Sequence, residues 1–260
     1  MSRHAVHLRA FVVEGWRALA RARSAWALAA GALILSVVAV IAEIPLREPG
    51  RFSLNTLALV DQLLVLLLVA VQVMAVRPAS PCPWWPCAAE TAVLGRAIGM
   101  LSLCVCLLAS VVGFQYLLVA ATDDLEARAF TQQVGERLDG HYLVLWAGLG
   151  TYAAVLLAWG TTLRILLNPA LTLLTLMVLV FSGYALPRLG HESAALAPII
   201  AVLPDLGALA PVELAQNRDW NARAVAYGLT HAAMVWLLGA VALRVLWGRG
   251  RGVDSAQSPA

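Results

Sequence analysis

The residues of this chain that could do chemistry are few and dispersed. Cys82 and Cys87 flank a tryptophan pair in "PCPWWPC", residues 81–87. Two thiols at that spacing match no common zinc pattern, and no histidine stands near them. In a reducing compartment they are not expected to pair as a disulfide either. The five histidines (His4, His7, His141, His191 and His231) are scattered along the chain, whereas a metal path would need clustered histidine, cysteine or methionine. Ser182 and His231 could supply a hydroxyl and an imidazole, but no motif around either specifies a nucleophile with its base, so catalysis by this chain is not expected. More informative are Asp61, Gln62, Gln72 and Gln115, which lie inside long apolar runs. A charged side chain at the centre of a bilayer costs about 2.5–3.5 kcal/mol on insertion scales. Polar groups there face protein or a wet cavity, so these four are either interhelical hydrogen-bonding residues or candidates for a translocation path.

The elements that must position them follow from composition. The 260 residues are 61% hydrophobic and 13% charged, with a mean hydropathy of +0.80, which excludes an ordinary soluble globule. A hydrocarbon core of roughly 30 Å takes about 20 helical residues to cross. Six such runs are present: 25–44, 57–76, 97–121, 142–163, 165–186 and 222–247. Their length indicates helices rather than barrel strands, because a helix bonds its own backbone groups within lipid. The expected fold class is all-α: a polytopic membrane protein with six transmembrane helices. Residues 1–24 form a surface helix, 25–247 the membrane domain and 248–260 a flexible tail.

Arginine sets the orientation, since the chain has no lysine. With the N-terminus in the cytoplasm, eleven arginines fall inside (Arg3, Arg9, Arg17, Arg21, Arg23, Arg77, Arg96, Arg164, Arg244, Arg249 and Arg251) and seven outside. Retention of positive charge then places both termini in the cytoplasm of a bacterial-type inner membrane. The outer segments also collect most of the acids, including Asp123, Asp124, Glu126, Glu136 and Asp139 between the third and fourth spans, in 122–140. The apolar stretch 193–212 is interrupted by Pro198, Pro204 and Pro211 and carries Asp205. It reads as short re-entrant helices within an outer segment, 187–221, rather than a seventh crossing.

Ahead of the first span, "FVVEGWRALARARSAW" is amphipathic. Val12, Val13, Trp16, Leu19 and Ala20 share one face, and Glu14, Arg17 and Arg21 the other. This predicts a helix along the cytoplasmic surface, either a topology anchor or a contact for a partner protein. The run 1–43 is retained as a first helix and not read as a cleaved signal. Pro78, Pro81, Pro83 and Pro86 stiffen the loop 77–96, leaving Trp84 and Trp85 as interface anchors or partner contacts. Cys104 and Cys106, within the third span, are expected to pack among helices.

The order of these features resembles the permease subunit of type-2 ABC exporters (the ABC-2 family). The resemblance rests on "EGWR" (Glu14, Gly15, Trp16, Arg17); on Arg77, Pro78 and Ser80; on Gly95, Arg96 and Gly99; and on Leu203, Pro204 and Asp205, followed by Tyr227 and Gly228. It covers about 11–249 and is nearest to small six-helix permeases linked to copper-enzyme maturation. It implies that two permeases, identical or related, pair around a path, and that the loop between the second and third spans couples to a cytoplasmic ABC ATPase carrying ATP and Mg. No cofactor is implied on this chain, and a chain without lysine has no G-x-x-x-x-G-K-[ST] phosphate loop. Arg77, Trp84, Trp85, Glu90 and Arg96 would then contact the ATPase, because aromatics and arginine often dominate interface energy. The insert between Ser80 and Gly95 departs from the family pattern and puts productive coupling in question. A second functional class stays open: a non-transporting scaffold that assembles an extracytoplasmic enzyme through the outer segments. The lipid bilayer is a partner in either case; nucleic acid is not.

Overall fold

The computed structural model describes residues 3–43, 54–75, 89–126, 131–189, 203, 205–209 and 222–256. Among them are eight helices and no strand: α1 (Arg3–Ala20), α2 (Arg23–Glu43), α3 (Leu54–Ala75), α4 (Ala89–Glu126), α5 (Thr131–Leu166), α6 (Pro169–Leu189), the short α7 (Leu206–Leu209) and α8 (Ala222–Ala256). The protein is all-α, as expected. Six of its helices (α2 to α6, and α8) are long and apolar enough to cross a membrane.

These helices differ in how much surface they hide. In the spanning window of α5, 56% of residues are buried, against 17% in that of α6, so α5 is the central post and α6 a peripheral one. The sequence explains the contrast. From Thr151 to Ala158 every residue of α5 is buried, which requires neighbours on all sides. In α6, by contrast, Leu174, Met177, Val178 and Phe181 are all more than half exposed. Apolar side chains that face outward at mid-span suit acyl chains, whose chemistry they share. One core cluster runs from Leu19 of α1 through Leu68 of α3, Leu108 of α4 and Val155 of α5 to Val235 of α8.

The break between the fourth and fifth spans falls at Asn168-Pro169, four residues beyond the Ile165 start read from the apolar run. Asn168 is an N-cap: its Oδ1 accepts from the Leu171 amide at 2.9 Å, while its carbonyl accepts from the Thr172 amide at 2.9 Å. Pro169 takes the first helical position, where a missing N–H costs nothing. Arg164 donates to the Leu167 carbonyl at 3.0 Å and closes the end of α5.

Three boundaries lie beyond those expected from hydropathy. α4 continues to Glu126 and α5 starts at Thr131, so the acidic segment 122–140 is largely helical. Nothing between Tyr116 and Glu126 is Gly or Pro, and the backbone ladder therefore outlasts the apolar run. α8 likewise runs to Ala256, through much of the stretch expected as a flexible tail. Of the re-entrant segment 187–221, the described part includes α7, which packs against α5, α6 and α8. Asp205 caps it, accepting from the Ala208 amide at 3.0 Å. Residues 187–189 belong to the end of α6, and apart from position 203 the rest of that segment lies outside the described residues.

Candidate functional site

α1 ends at Ala20 and α2 begins at Arg23, with a tight elbow between them. The Arg21 amide bonds to the Arg17 carbonyl at 3.0 Å, the Ala22 amide to the Leu19 carbonyl at 3.0 Å, and the Trp26 indole to the Ala20 carbonyl at 2.8 Å. The elbow sets α1 against the first turns of α4, its most extensive neighbour. Three glycines permit this approach. A Cβ on Gly15 would stand 2.5 Å from the Arg96 carbonyl oxygen, and one on Gly95 would stand 2.6 Å from Phe11 Cβ. On Gly99 it would collide with the Val12 carbonyl oxygen. Small residues at a helix crossing let two backbones meet, and in lipid such packing stands in for a hydrophobic driving force.

Polar groups then fix the register of the crossing. Arg96 reaches Glu14 at 2.6 Å, and its guanidinium lies 5.7 Å from the centre of the Phe11 ring. Trp16 donates its indole N–H to Ser102 Oγ at 2.9 Å. Glu14, Trp16 and Arg96, which sequence treats as contacts for a partner, are thus first of all contacts within the chain. Val13, expected on the apolar face, is exposed, whereas Gly15 and Leu19 are buried. Arg17 and Arg21, with Arg9 and Arg23, are exposed. Arg77, Trp84 and Trp85 lie outside the described residues, and Glu90 is placed only by its backbone, in the first turn of α4.

Further along α4, about 28 Å from Arg96 at 1.5 Å per residue, Gln115 anchors a buried polar cluster. Its Nε2 donates to Asp61 Oδ1 at 2.8 Å and to Ser36 Oγ at 3.0 Å. Ser36 passes its own proton to the Ala32 carbonyl at 2.8 Å. All three side chains are buried, so α2, α3 and α4 are joined by groups hidden from both solvent and lipid. The neighbouring Gln62 points elsewhere, donating to the Tyr184 hydroxyl of α6 at 2.6 Å; Tyr184 in turn donates to Tyr152 of α5 at 3.2 Å. Two successive residues of α3 therefore bond to α4 and α6, and through Gln115 and Tyr184 are linked to α2 and α5. Gln72 does not join them: it is buried, with neither its amide nitrogen nor its oxygen hydrogen-bonded.

A third polar seam joins α5 to α8. Trp159 donates to His231 Nε2 at 3.0 Å, Thr162 to the Val235 carbonyl at 3.0 Å, and Trp236 to Thr161 at 3.2 Å. His231 also lies against the Tyr227 ring, centroids 6.2 Å apart. Among the described residues no three His, Cys, Asp or Glu come together as a metal site would require. Cys104 is buried, as expected, but Cys106 is exposed on the outside of α4 and does not pack among helices; two positions along a helix are about 200° apart.

Sequence reading missed Ser36, Tyr152 and Tyr184 because hydroxyls are common in spans and only the neighbouring helix gives them a role. It noticed Gly15, Gly95 and Gly99 but not that each meets the facing helix. A small-residue spacing of four at Gly95 and Gly99 was the available signal.

Compared with known proteins, the chain matches no family model, no curated protein and no solved structure.

Proposed function

We propose that this chain is the transmembrane permease subunit of an ABC-2 type exporter in a bacterial-type cytoplasmic membrane, with both termini cytoplasmic. It would form a path with a second permease and be driven by a separate cytoplasmic ATPase that carries ATP and Mg. The observation that supports this reading is the clasp between α1 and α4. The "EGWR" segment and the "LGRAIG" segment are two of the features whose order resembles the family, and they meet through residues 82 positions apart in sequence.

A motor that held the connector 77–96 would pull on the start of α4, and the clasp would carry α1 along as part of the same rigid body. The 38 residues of α4 then form a lever of about 57 Å. About 39 Å along it stands Gln115, and with it the buried contacts to α2 and α3. Rigid-body tilting of packed helices is the usual way a small displacement at one site becomes a rearrangement at another.

One observation favours the second reading, a scaffold for an extracytoplasmic enzyme. Asp61, Gln62 and Gln115 bond to neighbouring helices, as interhelical structural residues would. Purification of the native complex in mild detergent separates the two. A permease retains a nucleotide-hydrolysing chain and raises its turnover on reconstitution, while a scaffold retains an extracytoplasmic partner and no ATPase.

A further inference from the structure

Asp61 is buried in the bundle with 5% of its surface exposed. An ionised carboxylate so placed would need a cation or several donors to replace its lost hydration. The surroundings supply neither. From α4 it receives one neutral amide N–H, that of Gln115 at 2.8 Å. The nearby hydroxyl of Ser36, on α2, spends its proton on the Ala32 carbonyl. Tyr184 of α6 gives its proton to Tyr152 of α5 in the chain that starts at Gln62. Arg96 lies about 28 Å from Gln115 along α4, and Arg164 about 18 Å from Tyr152 along α5. Arg96 is moreover bound to Glu14, and among the described residues no ion pair reaches Asp61.

We infer that the Asp61–Gln115–Ser36 cluster is a proton-binding site, in which the Asp61 carboxyl is held as the neutral acid between α2, α3 and α4. Oδ1 accepts from Gln115, as the carbonyl oxygen of the acid would, and burial of the neutral form involves no bare charge. Occupancy and packing are consequently linked. Parting α2, α3 and α4 at this level would admit water, stabilise the ion and release the proton, whereas closure would take a proton up. The site needs no partner chain, and its test is independent of the permease reading.

Infrared difference spectroscopy on the full chain in lipid at neutral pH tests this directly. The expected result is a protonated-carboxyl carbonyl band that shifts when aspartate carries a carbon-13 side-chain carboxyl and that is missing from Asp61→Asn. Isotope labelling needs no variant, so the measurement survives even if the substitution disturbs folding. Absence of an isotope-sensitive protonated band from the labelled wild-type protein would overturn the inference. So would a band that persists unchanged in a folded Asp61→Asn protein.

Discussion

At the residue scale, the clasp concentrates most of its energy in atoms that are not there. Gly15 and Gly99 face backbone atoms of the opposing helix, which cannot rotate away as a side chain can. Gly99→Ala and Gly15→Ala should each destabilise the protein by about 1–3 kcal/mol, the usual cost of forcing a methyl into a filled space. Removal of the Glu14 carboxylate should matter less: Glu14 is 51% exposed, and exposed pairs contribute roughly 0–1 kcal/mol. Unfolding in mixed micelles checks the order, which would be wrong if Glu14→Ala proved the more damaging. Asp61 offers a second comparison. Asp61→Ala strips Gln115 of an acceptor and should cost about 0.6–1.7 kcal/mol, the range for interhelical hydrogen bonds in membranes. Asp61→Asn keeps an acceptor in place and should cost less in the same assay.

At the element scale, the sequence carried the number and type of helices because hydropathy over a twenty-residue window is a strong signal. It carried the ends poorly, because hydrogen bonding, not hydropathy, decides where a helix stops. Asn168-Pro169 shows this: the apolar run passes over a site where cap chemistry starts a new helix. Asn168→Ala should therefore cost about 1 kcal/mol, while Leu174→Ala on the exposed face of α6 should change stability little; thermal unfolding of the two variants measures the contrast. Part of the candidate site was legible too. Asp61, Gln62 and Gln115 stood out as polar residues in apolar runs, and all three engage other helices. Their partners were not legible, because Ser36 and Tyr184 acquire meaning only through the packing of α2 and α6 around α3. Gln72 had the same signature as Gln115 but meets no partner, so intramembrane polarity alone does not predict bonding.

At the scale of the whole molecule, the clasp and the buried polar cluster sit about 28 Å apart along α4. That arrangement gives the chain a mechanical axis, with α1 and the start of α4 as one body at one end and the junction of α2, α3 and α4 at the other. If a separate motor grips the connector, replacing both Trp84 and Trp85 by alanine should release a copurifying ATPase without lowering the thermal stability of the chain itself. Unchanged retention would reassign those rings to the lipid interface. All of this depends on which side of the membrane the connector emerges. The most direct measurement is labelling of Cys82 by a membrane-impermeant thiol reagent, compared between intact and permeabilised cells. A cytoplasmic connector predicts label only after permeabilisation; label from outside intact cells would place the connector beyond the reach of cytoplasmic ATP and contradict the account.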